Sequence, residues 1–86
     1  MTVYAVMFSR SAARELERLP DKAVQRLVRA MRALQEDPRP RGHRKLVGEE
    51  RTYRIRVGDY RVVYEVDDDQ QAVLITRVRH RKDAYQ

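Results

Sequence analysis

The stretch from Tyr53 to Tyr64, Tyr-Arg-Ile-Arg-Val-Gly-Asp-Tyr-Arg-Val-Val-Tyr, constrains this chain most. Tyr53, Ile55 and Val57 are apolar, and Arg54 and Arg56 between them are charged. That period of two fits a β-strand with one wet face. Gly58-Asp59 supplies turn chemistry, and a second strand-like run, rich in Val and Tyr, follows from Tyr60 to Val66. The stretch therefore predicts a hairpin with Arg54, Arg56 and Arg61 at or near one exposed face. A solvated sheet face that happens to use arginine is the alternative reading.

At 86 residues the chain has room for one domain, expected over 1–86. A domain this small buries roughly 60–65% of its unfolded surface, so a site should be an open surface or shallow groove. Cysteine is absent, which removes disulfide frameworks and thiolate zinc sites. His43 and His80 have no carboxylate at ligand spacing, and no metal is expected. No apolar run approaches the ~20 residues of a membrane span. The N-terminal stretch has no basic region and no long apolar core, so a cytoplasmic protein is expected. The formal charge is +6, and lysine occurs only at Lys22, Lys45 and Lys82, leaving 16 of the 19 basic residues as arginine. Arginine grips phosphate bidentately and stacks on bases, which favours a nucleic acid or an acidic protein as partner. A preference for arginine codons would give the same composition.

Val3 to Phe8 reads as a first strand, apolar on both faces and therefore expected to be covered on both. Ser9 is a helix N-cap, followed by Ala12, Ala13, Leu16 and Leu19 at helical spacing. Pro20 stops that helix and Asp21 is expected to cap the next, whose stripe is Val24, Leu27, Val28, Met31 and Leu34. Residues 37–52 form a basic connection punctuated by proline and glycine, which Leu46 and Val47 would anchor to the core. Asp67 to Gln71 reads as a solvated acidic turn without metal chemistry, since it lacks the glycine and terminal glutamate of a calcium loop. Ala72 to Val78 is a last strand. The order strand, two helices, three strands makes an α+β domain (β-α-α-β-β-β): a four-stranded, antiparallel-rich sheet with an N-terminal helical hairpin on one face.

An arginine cluster on an open sheet suits a phosphodiester. Guanidinium groups hold phosphate oxygens and stabilise the extra charge of a pentavalent transition state. If the substrate is RNA, its own 2′-hydroxyl can attack the adjacent phosphorus, and the protein must align the groups and move two protons. His80 has the natural pKa for proton transfer, and Tyr85 can stack on a base. Arginine is a poor base because it stays protonated. Each residue also has a plain reading: His80 as a polar strand end, Tyr85 as a packed terminal aromatic.

The hairpin stretch, taken with Val-Arg-His-Arg-Lys-Asp-Ala-Tyr at 78–85, resembles the RelE branch of the RelE/ParE toxin superfamily. Tyr-Ala-Val-Met-Phe-Ser with Ala13, Leu16 and Leu19 is similar to that family's opening strand and first helix. Lys45-Leu46-Val47-Gly48 is similar to its approach to the hairpin. The resemblance implies a RelE-like fold and a metal-independent, cofactor-free toxin that cleaves mRNA in the ribosomal A site. It implies Arg54, Arg56, Arg61, Arg81 and Tyr85 as catalytic positions. Members can carry lysine where Arg54 and Arg56 stand, so His80 is the expected replacement in proton transfer, with Glu65 a weaker one. Arg39, Arg41, Arg44, Lys45 and Arg79 would extend the RNA contact. The implied partners are a RelB-like antitoxin, the ribosome and mRNA, with no membrane and no small-molecule cofactor. The alternatives are a ParE-like inhibitor of DNA gyrase on the same fold, and a binding module without activity.

Overall fold

The computed structural model describes residues 3–82, so Tyr85 lies outside the described residues. The elements are β1 (Ala5–Phe8), α1 (Arg10–Glu17), α2 (Asp21–Ala33), β2 (Arg44–Lys45), β3 (Thr52–Val57), β4 (Tyr60–Asp67) and β5 (Ala72–His80). They build one five-stranded sheet in the order β1-β5-β4-β3-β2. Strands β2 to β5 pair antiparallel and β1 joins β5 in parallel. The expected class therefore stands, with one more strand than four. The addition is β2, where the basic connection returns to pair with β3 and Leu46 N–H donates to Thr52 O at 2.9 Å. A two-residue strand leaves no periodicity to read.

Local chemistry sets the helix ends. Ser9 Oγ accepts the Ala12 N–H at 3.1 Å, an N-cap. Asp21 does not cap α2 as expected: Pro20 takes the N-cap position with extended backbone angles and no side-chain cap hydrogen bond. Asp21 is the first helical residue, where its charge meets the positive end of the helix. Both helices lie on one face of the sheet. Ala12, Leu27, Met31 and Leu34 meet Tyr53 and Ile55 of β3, Val62, Tyr64 and Val66 of β4, and Val73, Ile75 and Val78 of β5. Val24 and Val28, expected in the same stripe, are only half-buried.

Two sequence expectations change. Strand β1 is an edge strand, so its two apolar faces are not both covered: Met7 is 50% and Phe8 42% exposed. Val47 is fully exposed and does not anchor the connection, whereas Leu46 is half-buried.

Strand β1 pairs only with Ala72–Ile75, so the rest of that edge of β5 needs other partners. Helix α1 supplies them. Ser9 N–H donates to Ile75 O, Ser9 Oγ–H to Thr76 O, and Val78 N–H donates to Glu15 Oε1 at 2.8 Å. At the other end of the sheet, Arg39 clamps the β4–β5 turn. Its Nη2 lies 2.7 Å and its Nη1 3.2 Å from the Asp68 carboxylate, its Nε–H donates to Tyr53 Oη, and its guanidinium sits 5.1 Å from the Tyr53 ring centroid. Tyr4 Oη–H donates to the same carboxylate at 2.7 Å. The acidic turn is thus partly bound into the fold. Arg39, and after it Tyr4, hold the Asp68 carboxyl below its usual range.

Candidate functional site

The sheet face turned away from the helices is read row by row from the strand register. Nearest the β3–β4 turn, Arg56 pairs with Arg61 and Arg61 with Arg79. One step back, Arg44 pairs with Arg54, Arg54 with Val63, and Val63 with Arg77. Behind these come Thr52, Glu65, Leu74 and Met7. Directly paired residues share a face, so six arginines stand on it in two adjacent rows.

A β-bulge produces this alignment. Between Val63 and Tyr64 the pairing with β5 slips by one residue, from Arg77 to Ile75, leaving Thr76 as the extra residue. Strict alternation from the buried Val73 and Ile75 would send Arg77 and Arg79 into the core. The bulge turns both outward and lets Val78 face the core instead.

At the hairpin tip, Arg56, Gly58, Asp59, Tyr60, Arg61 and Arg81 line an open concavity of about 330 Å³. Gly58 has φ of +60°, whereas Asp59 does not adopt a positive φ; with two loop residues this fits a type II′ turn. Arg81 is held to the turn by its N–H donating to Asp59 O at 2.6 Å. The side chains are only loosely paired, with Arg81 Nη1 4.0 Å from Asp59 Oδ1 and both well exposed. Exposed pairs of this kind contribute little, so the Arg81 charge stays open to an incoming anion. Arg79 Nε lies 2.8 Å from Glu15 Oε2, but its N–H does not point along that contact, so the pair is a charge contact rather than a hydrogen bond. From behind the turn, helix α2 brings Arg26, whose guanidinium lies 2.9 Å from where a Cβ on Gly58 would be.

This combination of one sheet, a two-helix cover and a basic hairpin tip can be set beside known proteins. The sequence profile described as "ParE toxin of type II toxin-antitoxin system, parDE" matches residues 6–85. The chain belongs to the RelE/ParE toxin superfamily. It is a toxin of type II toxin–antitoxin systems, on the RelE branch. It is similar to Toxin RelG of Mycobacterium tuberculosis, with 37% identity over 95% of both chains. Its fold is similar to a chain of the toxin–antitoxin complex RelBE2 of the same organism, with a TM-score of 0.83, 34% identity and 93% of each chain covered. It is also similar to a chain of the archaeal RelE–RelB complex of Pyrococcus horikoshii, with a TM-score of 0.82, 31% identity, and 94% and 97% covered.

The toxin brings Arg56, Arg61 and Arg81 together around the concavity, with Arg79 in the same row and Arg54 and Arg44 in the next. His80 is not part of this group. Its cross-strand partner is Tyr60, next to Val62 on the helix-covered face, and it meets the Tyr60 ring edge-on at 5.2 Å. Its Nδ1 accepts the Lys82 N–H at 3.2 Å, so neutral His80 carries its proton on Nε2. Glu65 is four residues along β4 from Arg61, roughly 13 Å away. Arg39 is spent at the opposite end of the sheet, Lys45 pairs with Tyr53 and so faces the helix side, and Arg41 is exposed on the connection. Three residues near the tip or on its face had no expected role: Asp59, Arg26 and Arg77. Asp59 was legible only as a turn residue. Arg26 was legible only as the wet side of a helix.

Proposed function

We propose that this toxin is a ribosome-dependent mRNA endonuclease of the cytoplasm, cutting in the A site by attack of the RNA 2′-hydroxyl on the adjacent phosphate. The observation that carries this reading is the convergence of Arg56, Arg61 and Arg81 on one open concavity beside Asp59, the one lining carboxylate among the described residues. The guanidinium groups bind the scissile phosphate and stabilise the charge added as phosphorus becomes pentavalent. They cannot take a proton. Of the lining side chains, the Asp59 carboxylate can accept the proton of the 2′-hydroxyl. The 2′-oxygen bonds to phosphorus, the bond to the 5′-oxygen breaks, and that oxygen leaves with a proton from water in the open site. The products are a 2′,3′-cyclic phosphate and a 5′-hydroxyl.

The inferred protein partner is a RelB-type antitoxin, since relatives of this fold were solved in RelB–RelE complexes. Inhibition of DNA gyrase is the competing reading, and the family profile's ParE description keeps it specific. The test incubates the purified toxin with programmed ribosomes and, separately, with gyrase and relaxed plasmid. The proposal requires mRNA ends within the A-site codon and unimpaired supercoiling. Intact mRNA together with blocked supercoiling would overturn it.

A further inference from the structure

The arginine face does not stop at the concavity. The second row, Arg44–Arg54–Val63–Arg77, crosses four strands and contains no carboxylate. Arg77 is exposed and enters no ion pair among the described residues. It faces outward only because of the bulge at Thr76, whose hydroxyl donates to Val63 O at 3.2 Å and ties the two strands together there. Bulges that re-aim a side chain are concentrated beside functional sites.

We propose that this row is a second phosphate subsite, taking the phosphate adjacent to the scissile one in a single-stranded RNA, with Arg77 as its anchor. The inference rests on the nuclease reading of the first row and extends it. Arg54 and Arg77 flank Val63, roughly 10 Å apart across two strand spacings. Arginine side chains are long enough for both guanidinium groups to reach one phosphate bound above the valine. The valine offers an apolar floor for a ribose or base. The two rows lie two residues apart along each strand, roughly 6.6–6.8 Å. That step is comparable to the separation of neighbouring phosphates in an extended single strand. An RNA whose scissile phosphate sits at Arg61 therefore meets the second row with its next phosphate, running along the strands. An extended acidic protein segment repeats its side chains at the same step, but only an RNA already seated by its scissile phosphate in the first row is carried into the second row by its own backbone.

The test measures binding of uncleavable 2′-O-methyl oligonucleotides with one, two or three phosphates to the free toxin, at several salt concentrations. Wild type should gain affinity on going from one phosphate to two. Arg77→Gln should lose that gain, roughly tenfold at low salt, and bind the single-phosphate probe as wild type does. Its salt slope for the two-phosphate probe should fall by about 0.7. A matching urea midpoint for the two proteins would show that the fold is intact. Loss of the length-dependent gain supports the subsite whether or not the wild type cleaves mRNA, because the probes cannot be cut. Wild-type binding that is independent of length, or an Arg77→Gln variant that follows wild type at every length, overturns the proposal. So does a variant that keeps its RNA binding but loses affinity for the antitoxin.

Discussion

Tyr64 lies at the centre of the core, fully buried, with its hydroxyl donating to Pro38 O at 2.8 Å. Burial pushes the phenol up to about 12 from its ordinary 10.0. Tyr64→Phe should then act with opposite sign at the two ends of the pH range. At pH 8 both folded and unfolded wild type hold the phenolic proton, and the variant loses only the hydrogen bond, about 1 kcal/mol. As pH rises past 10 the unfolded chain ionises while the folded one resists, so wild type loses stability. By pH 11 this loss is about 1.4 kcal/mol. The variant has no such group and escapes it, so the two stabilities should cross close to pH 11. Urea unfolding followed by circular dichroism at pH 8, 10 and 11 reads this directly, because ionisations common to both proteins cancel in the difference. With a slope of 1–2 kcal/mol/M, the midpoints should differ by roughly 0.5–1 M at pH 8. A constant gap across this range would refute the claim that the fold keeps Tyr64 protonated.

Arg39→Ala should lower Tm by roughly 4–8 °C and leave binding of uncleavable RNA unchanged, since its charge is used at the far end of the sheet. Weakened RNA binding would return Arg39 to the site. Asp68→Asn should be less stable than wild type at neutral pH and converge with it in acid. The Asp68 carboxyl is depressed in the fold, so its contribution exists above its unfolded value near 4 and disappears as pH falls through the folded one; melting curves from pH 2 to 7 check this. Gly58→Ala should cost roughly 1–2 kcal/mol in urea titrations, mainly through its φ of +60°, because the Arg26 guanidinium can swing aside. Arg61→Gln should reduce mRNA cleavage roughly 10²–10³-fold with an unchanged urea midpoint.

Much of the fold was legible because its cues are local. The alternation at Tyr53–Val57, the Gly58-Asp59 turn, the Ser9 cap and the Pro20 break each act within a few residues. Contacts distant in sequence were not legible. Arg39 reaches Asp68 across 29 residues and Tyr4 reaches it across 64, so a basic loop and an acidic turn read as two solvated segments. The coverage of β1 was misjudged because apolar composition does not reveal that a strand lies at a sheet edge. In the site, Arg56 and Arg61 followed from alternation alone. His80, Arg77 and Arg79 did not, because the extra residue at Thr76 inverts the faces of everything after it on β5. Without the bulge His80 would stand among the arginines and Arg77 would be buried.

The central claim is that these arginines serve an attack by the RNA's own 2′-hydroxyl. It is tested most directly with ribosomes carrying an mRNA in which one A-site nucleotide, the one 5′ of the cut, is replaced by its 2′-deoxy form. The account predicts that the unmodified message yields a 3′ fragment end bearing a 2′,3′-cyclic phosphate and that the deoxy message stays intact at that bond. Cleavage of the deoxy message at the same bond, or a product ending in a free 3′-hydroxyl, would contradict it.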